Sequence, residues 1–323
     1  MTTQQGRLTS LAVGTQADFD TPAVADAYTC LHYYTSAVVA QQPDVDDPLL
    51  GCGYTGRDDT VPLEGLITVA GPMDVPMELH ELGIWLRGLL GPAAAPSANG
   101  GRDDHVFTSG AEALPFLTIE QQLKSNIFMQ LNGILVNSLG INLSKEAGGR
   151  RISLGLLGKD EVKLAASQAG TIAASPFAQA AQMLSFSGKL ELDDVEIPLL
   201  RSASFECSNN AEDKQELNGL ATSGGFDLGT ATARGSITAG FADATLYDIA
   251  AAHTEGKLEL LWSKGNYALG IEMPVVRFAR TGIPVQGPGR IDQNFDWRAA
   301  HDEGGSNPMM TVTLTNSDAT GYA

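Results

Sequence analysis

Basic residues are scarce in this chain: 20 Lys and Arg stand against 38 Asp and Glu, a formal net charge of -18 over 323 residues. Proteins that hold nucleic acid regardless of its sequence do so by neutralising phosphates with Lys and Arg, so this composition excludes such a grip. It is compatible with repelling a polyanion. Cysteine is sparse too. Cys30, Cys52 and Cys207 are too few and too scattered for a disulfide framework, and no CxxC pair exists, so a reducing compartment is expected. No apolar run approaches membrane-spanning length, and Met1 to Arg7 is polar without the apolar centre of a signal peptide. A cytoplasmic product with no membrane partner is the expectation. Aromatic residues make up only 7% of the chain, little for the exposed platform that a carbohydrate-binding or adhesin-like β-sandwich favours.

Catalytic patterns are missing as well. Gly51-Cys52-Gly53-Tyr54-Thr55-Gly56 is a literal GxGxxG, with Asp74 at roughly the distance of a ribose-binding acid. A dinucleotide site needs an apolar strand before the glycines and a helix N-terminus after them. Here Asp46-Asp47-Pro48 precede and Arg57-Asp58-Asp59 lead to Pro62, so the run reads as a glycine-rich loop. His80-Glu81 begins like the HExxH metal motif, but Ile84 stands where the second histidine belongs, which leaves His80 as a surface helix residue. His32, His105, His253 and His301 share no ligand spacing, and there is no GxSxG elbow or Walker A loop. Asp58-Asp59, Asp103-Asp104 and Asp193-Asp194 are accounted for as turn residues of an acidic protein. No enzyme, cofactor or metal is expected, although paired carboxylates on neighbouring strands, as in a jelly-roll hydrolase, are not visible in sequence.

What is present is most legible from Leu63 to Pro92. Leu63 to Ala70 is short, apolar and β-leaning, and Gly71-Pro72 predicts its end. Asp74 is placed as an N-cap, Pro76 fits a first helical turn, and Val75, Leu79, Leu82, Leu86 and Leu89 recur at alternating spacings of four and three. The spacing predicts a helix over Val75 to Leu90, with Leu79, Leu82, Trp85, Leu86 and Leu89 as the face packed on a sheet and Gly91-Pro92 as its stop. Gly235 to Gly240 echoes Gly65 to Gly71, followed by Asp243 as a cap, a face of Leu246, Ile249, Ala250 and His253, and Gly256 as a stop. Strand, cap and helix in the same order imply a duplication, and the length suits two domains.

Residues 1–27 are polar and small and read as an extended arm. Strand-like runs then alternate with Gly, Asn and Pro breaks as a meander, and Gly158 to Gln182 is placed as the join between halves. In Lys189 to Ile197, Leu190 and Leu192 alternate with Glu191 and Asp193. The phase flips across Asp193-Asp194, which predicts a bulge or tight turn. The chain is expected to be mainly β with one helix per half, divided as an arm (1–27), a first domain with linker (28–185) and a second domain (186–323).

The residues also resemble a known family. Pro48 to Gly53 followed by Gly56-Arg57-Asp58, Leu66 to Gly71, the Leu82 to Gly91 helix, Phe107 to Glu120, Asn132 to Ser144 and Ile283 to Gly289 look like the tail tube, or major tail, proteins of long-tailed bacteriophages, in the long form with two tube domains per chain. The resemblance implies two tandem β-sandwich or barrel-like domains, each with a flanking α-helix, and no catalytic residues. It implies a structural virion protein made in the host cytoplasm. Homotrimeric, pseudo-six-fold rings would stack into a hollow tube for DNA ejection, alongside tape measure, tail tip and terminator proteins. On that reading the excess acid would line the bore, with Glu191 and Asp193 as lumen-facing candidates. A non-catalytic β-sandwich binding or adhesin-like module is the alternative.

Overall fold

A computed structural model describes residues 5–47, 61–217, 219–285, 287–305 and 307–322; the Gly51 to Gly56 loop and the Pro48 to Gly53 run lie outside them. The protein is mainly β, as expected. The first half contains β1 (Ser10–Thr15), β2 (Tyr28–Leu31), β3 (Thr35–Ser36), β4 (Val39–Gln41), β5 (Asp44–Val45), β6 (Leu63–Glu64), β7 (Thr68–Pro76), α1 (Leu79–Leu90), β8 (Ser97–Asn99), β9 (Arg102–Thr108), β10 (Leu117–Lys124), β11 (Ile127–Ser144), β12 (Arg151–Gly158) and β13 (Asp160–Leu164). The second contains β14 (Gly188–Leu192), β15 (Val195–Glu196), β16 (Leu200–Ser208), β17 (Glu212–Asp213), β18 (Phe226–Asp227), β19 (Thr232–Gly240), α2 (Thr245–Ala252), β20 (Gly256–Lys264), β21 (Tyr267–Phe278), β22 (Asp292–Ala300) and β23 (Thr311–Asn316).

The same antiparallel scheme runs through both halves. β1 lies between β2 and β10, as β14 lies between β15 and β20. The hairpin β10–β11 matches β20–β21, β12 joins β11 to β7 as β22 joins β21 to β19, and β13 flanks β11 as β23 flanks β21. β7 carries β3 and β4 on its far side where β19 carries β16, and the short pair β5–β6 matches β17–β18. Among the described residues two strand pairings fall outside the repeat and link the halves: β11 with β16, and β9 with β23. The result is one continuous wall sheet, in the order β4–β7–β12–β11–β16–β19–β22–β21, backed by two further layers built around β10 and β20.

β11 and β21 serve both layers because each turns a corner. In β11 the corner is Asn132-Gly133, where the register with β10 shifts between Ile119 and Leu117. Gly133 has φ +60, and a β-carbon there would lie 2.8 Å from Lys159 Cβ, so only glycine fits. In β21 the register with β20 shifts between Leu258 and Gly256, and Pro274 sits in that irregularity, where its missing N–H breaks no ladder.

Between the layers lies α1. Leu79, Leu82, Trp85, Leu86 and Leu89 are buried in a core cluster drawn from both halves. His80 and Glu81 are buried too, so α1 is covered on its polar side and His80 is not at the surface. Its start also differs from the expectation. β7 runs straight through Gly71-Pro72 to Pro76, because Pro72 falls in the gap between β3 and β4 and there offers only its carbonyl, to Ala37 N (2.9 Å). Asp74 is therefore a strand residue, accepting from Thr35 Oγ1 (3.2 Å). Glu78 is the cap, taking the N–H groups of His80 (3.1 Å) and Glu81 (2.9 Å).

Other expectations shift with it. β7 and β19 are topological counterparts, and only β19 contains its share of the sequence echo in full, since Gly65 precedes β7. The cap position of α2 is Ala244, not Asp243, which accepts from Thr245 N (2.9 Å) from one residue earlier, and His253 ends α2 at φ 53 instead of lying on its face. Within the expected arm, Leu11 to Val13 are buried in β1, between two partners, because a small apolar run completes a layer more favourably than it stays in water. Asp193 and Asp194 form the tight β14–β15 turn, both with positive φ (49 and 64), and so flip the phase.

Candidate functional site

The wall sheet has a buried face and an open one. Ile141, Ile152, Leu154, Phe205 and Ile237 turn into the core, and the residues alternating with them face outward. That open face is concave, enclosing a groove of about 690 Å³ lined by Ser138, Gly140, Ser153, Gly155, Ser204 and Ser236 among others. Small hydroxyl and glycine positions dominate because the strands are crowded: Ser204 and Ser236 hydroxyls meet at 2.9 Å across β16 and β19.

Charge on this face is mixed and only partly paired: exposed Arg298 of β22 stands between Arg234 of β19 and Arg277 of β21 without an ion pair. Arg234 reaches Glu206 at 3.1 Å, Asp296 lies alongside, and Thr238 bonds Asn294 at 3.2 Å. No lysine stands on β7, β12, β16, β19 or β22. The groove itself is polar and lined mostly by small side chains, with Arg234 as its basic residue.

Glu191 and Asp193 lie elsewhere. Glu191 is paired with Glu196 of β15 and Glu259 of β20, in the layer backing the wall, and Asp193 occupies the adjoining turn, accepting from Lys257 N (2.8 Å). Across β20 and β21, Glu259 faces Glu272. Burial and the Glu259 carboxylate hold the Glu272 carboxyl above its usual range, while the Asp194 hydrogen bond raises the Lys257 ammonium.

A second polar cluster was invisible in the sequence. At the start of α1, His80 Nδ1 donates to Glu78 Oε1 (2.6 Å), and His80 Nε2 accepts from Ser317 Oγ (2.8 Å). Glu81 takes His32 Nδ1 (2.7 Å) and Ser175 Oγ (2.5 Å). Serine, histidine and glutamate in line have the order of a hydrolase triad. Here Ser317 N approaches the same Nε2 (3.4 Å), and Glu78 also takes Ala178 N (3.2 Å) and caps the helix. The cluster staples the segments around 175–178 and 316–318 onto α1. A glutamate directly before a leucine-spaced helix was its only sequence signal.

Among the described residues no group of three His, Cys, Asp or Glu side chains has metal-site geometry, and no helix is long and apolar enough to cross a membrane. Cys207 faces the core, where burial pushes its thiol up to about 12. Residues 6–299 match the family model described as phage tail tube protein. No curated protein matches the chain.

Proposed function

Because the chain belongs to the phage tail tube protein family, and so is a structural component of a phage tail, we propose that three copies close into a pseudo-six-fold ring and that rings stack into a hollow tube conducting DNA during ejection. The carrying observation is the repeated pairing scheme. Each half supplies one unit, β11–β16 fuses the two units into an unbroken wall, and three chains then supply six units around a closed cycle. The concave face of that wall is the bore, and Glu191 and Asp193 lie behind it. The absence of lysine from β7, β12, β16, β19 and β22 and the pairing of Arg234 with Glu206 limit the phosphate–cation contacts that would turn a conduit into a trap. Other tail proteins meet the ends of the stack. A cryo-microscopy map of purified protein tests the reading: rings of three full-length chains support it, six chains per ring overturn the stoichiometry, and a protein that stays monomeric favours a non-assembling β module.

A further inference from the structure

We propose that Arg298, set in register between Arg234 and Arg277, is a phosphate-contact point on the concave face and, resting on the bore reading above, that its ligand is the backbone of the DNA conducted there.

The row follows from strand register. Glu206 of β16 pairs with Arg234 of β19, Arg234 with Arg298 of β22, and Arg298 with Arg277 of β21. Residues opposite one another in a ladder point to one side of the sheet, and Arg234 lines the groove, so all three guanidinium groups belong to the open face. Neighbouring strands lie about 4.8 Å apart, which sets like charges side by side twice, an arrangement that costs stability unless an anion neutralises it. The outer two have their own carboxylates. Arg234 Nε donates to Glu206 Oε2 (3.1 Å), and Arg277 Nε donates to Glu255 Oε1 (3.1 Å). Arg298 is exposed and, among the described residues, has neither an ion pair nor a hydrogen bond. Asp296, the next outward residue along β22, lies opposite Ser236 and leaves the guanidinium unmatched.

A free guanidinium presents a planar fork of donors and no acceptor, which fits two oxygens of one phosphate. Guanidinium groups on both sides favour a ligand whose charge continues past a single group, as a phosphodiester backbone does. One free fork makes the contact a touch and not a grip. The binding constant falls with salt at a logarithmic slope of about −0.9 per phosphate neutralised, so a single contact loses roughly threefold to fourfold between about 50 and 200 mM salt. Three free arginines would lose about fortyfold over the same range. Glu206 and Glu255 thereby reduce the row to a contact that moving DNA can leave. The contact is also made once per chain. Counted from the first pair beyond each corner, Val275↔Ala300 and Leu135↔Leu157, the corresponding positions of the first unit are Ser138, Gly155 and Pro72, none of them charged.

The Nε–H resonances of unassembled protein carrying isotopically labelled arginine, titrated with a short DNA duplex, test this independently of tube formation. Saturable shifts at Arg298, with smaller ones at Arg234 and Arg277, are expected, and the binding constant should fall by roughly threefold to fourfold between about 50 and 200 mM salt. Arg298→Gln identifies the Arg298 resonance by its loss and should abolish the shifts of the other two. No shift in the row, or shifts of equal size at arginines away from it such as Arg7 and Arg102, overturns the contact while leaving the bore reading intact. Shifts produced equally by polyglutamate at the same charge concentration, or by inorganic phosphate but not by the duplex, overturn DNA as the ligand. A duplex-specific response in a protein that never forms tubes supports the contact and tells against the bore.

Discussion

Gly83 lies in the middle of α1, where alanine should be the better residue: an exposed Gly→Ala exchange in a helix interior gains about 1 kcal/mol. In this fold it should do the opposite. A β-carbon at Gly83 would clash with Cζ and both Cε atoms of the Tyr322 ring, which lies over the helix and is itself buried. Tyr322 Oη donates to His80 O (2.9 Å) and accepts from Asn316 Nδ2 (2.8 Å), so the ring has little room to slide. The cheapest response is to expel it. That sacrifices a buried aromatic, a loss of about 3–5 kcal/mol, which the helix gain offsets only in part. Gly83→Ala should therefore destabilise by roughly 2–4 kcal/mol. In a Tyr322→Ala background the obstacle is gone, and the same substitution should stabilise by up to about 1 kcal/mol. Urea unfolding of unassembled protein, followed by tryptophan fluorescence, reads the four midpoints of the cycle. An equal loss in both backgrounds would refute the reasoning, because Tyr322 would then not be what excludes the β-carbon.

Leu82→Ala or Leu86→Ala should cost about 2–5 kcal/mol as a buried truncation, and a loss below about 0.5 kcal/mol in the same assay would mean that α1 does not pack by that face. Glu272 has a folded-state pKa raised by burial and by Glu259, so the folded chain holds that proton more tightly than the unfolded one and its ionisation costs stability as pH rises. Glu272→Gln should accordingly raise the unfolding midpoint at pH 7, with the gain fading as pH falls through the raised folded-state pKa and gone below about 4, where the wild-type carboxyl is neutral in both states; a gain independent of pH contradicts this. Cys207, with its thiol at about 12, should resist iodoacetamide at pH 8 in the folded protein and react fully in urea, and native labelling at the denatured rate would show the site to be open.

The features legible in the sequence are those fixed by local periodicity. The four-three spacing from Leu79 to Leu89 identified side chains that are buried, and the phase flip at Asp193-Asp194 marked a tight turn. What could not be read depends on partners distant in the chain. Gly71-Pro72 looked like a stop because nothing in sequence shows that β3 and β4 leave a gap opposite Pro72. His80 looked like a surface residue because the segment that covers it comes from beyond Asn316. The concave face was illegible for a different reason. Its Ser and Gly positions carry no motif, and only the order of strands shows that Ser138, Ser153, Ser204 and Ser236 share one surface.

The two units are not interchangeable, and the difference bears on how a ring would come apart. Between α1 and β10 the first unit carries β8 and β9, and β9 pairs along β23 of the second. In the second unit α2 leads almost directly into β20, leaving no counterpart to β9. The junction within a chain is thus sealed twice, by β11–β16 in the wall and by β9–β23 behind it. Asn209 Nδ2 adds a buried bond to Leu89 O (2.9 Å). A junction between chains lacks the β9–β23 pairing, which each chain already satisfies within itself. A ring of three would then alternate strong and weak joints, and covalent continuity reinforces the strong ones, since two units on one chain meet at a high effective concentration whatever the protein concentration. Under mild denaturant the wall should therefore open between chains before it opens within them, releasing folded single chains with both halves still docked.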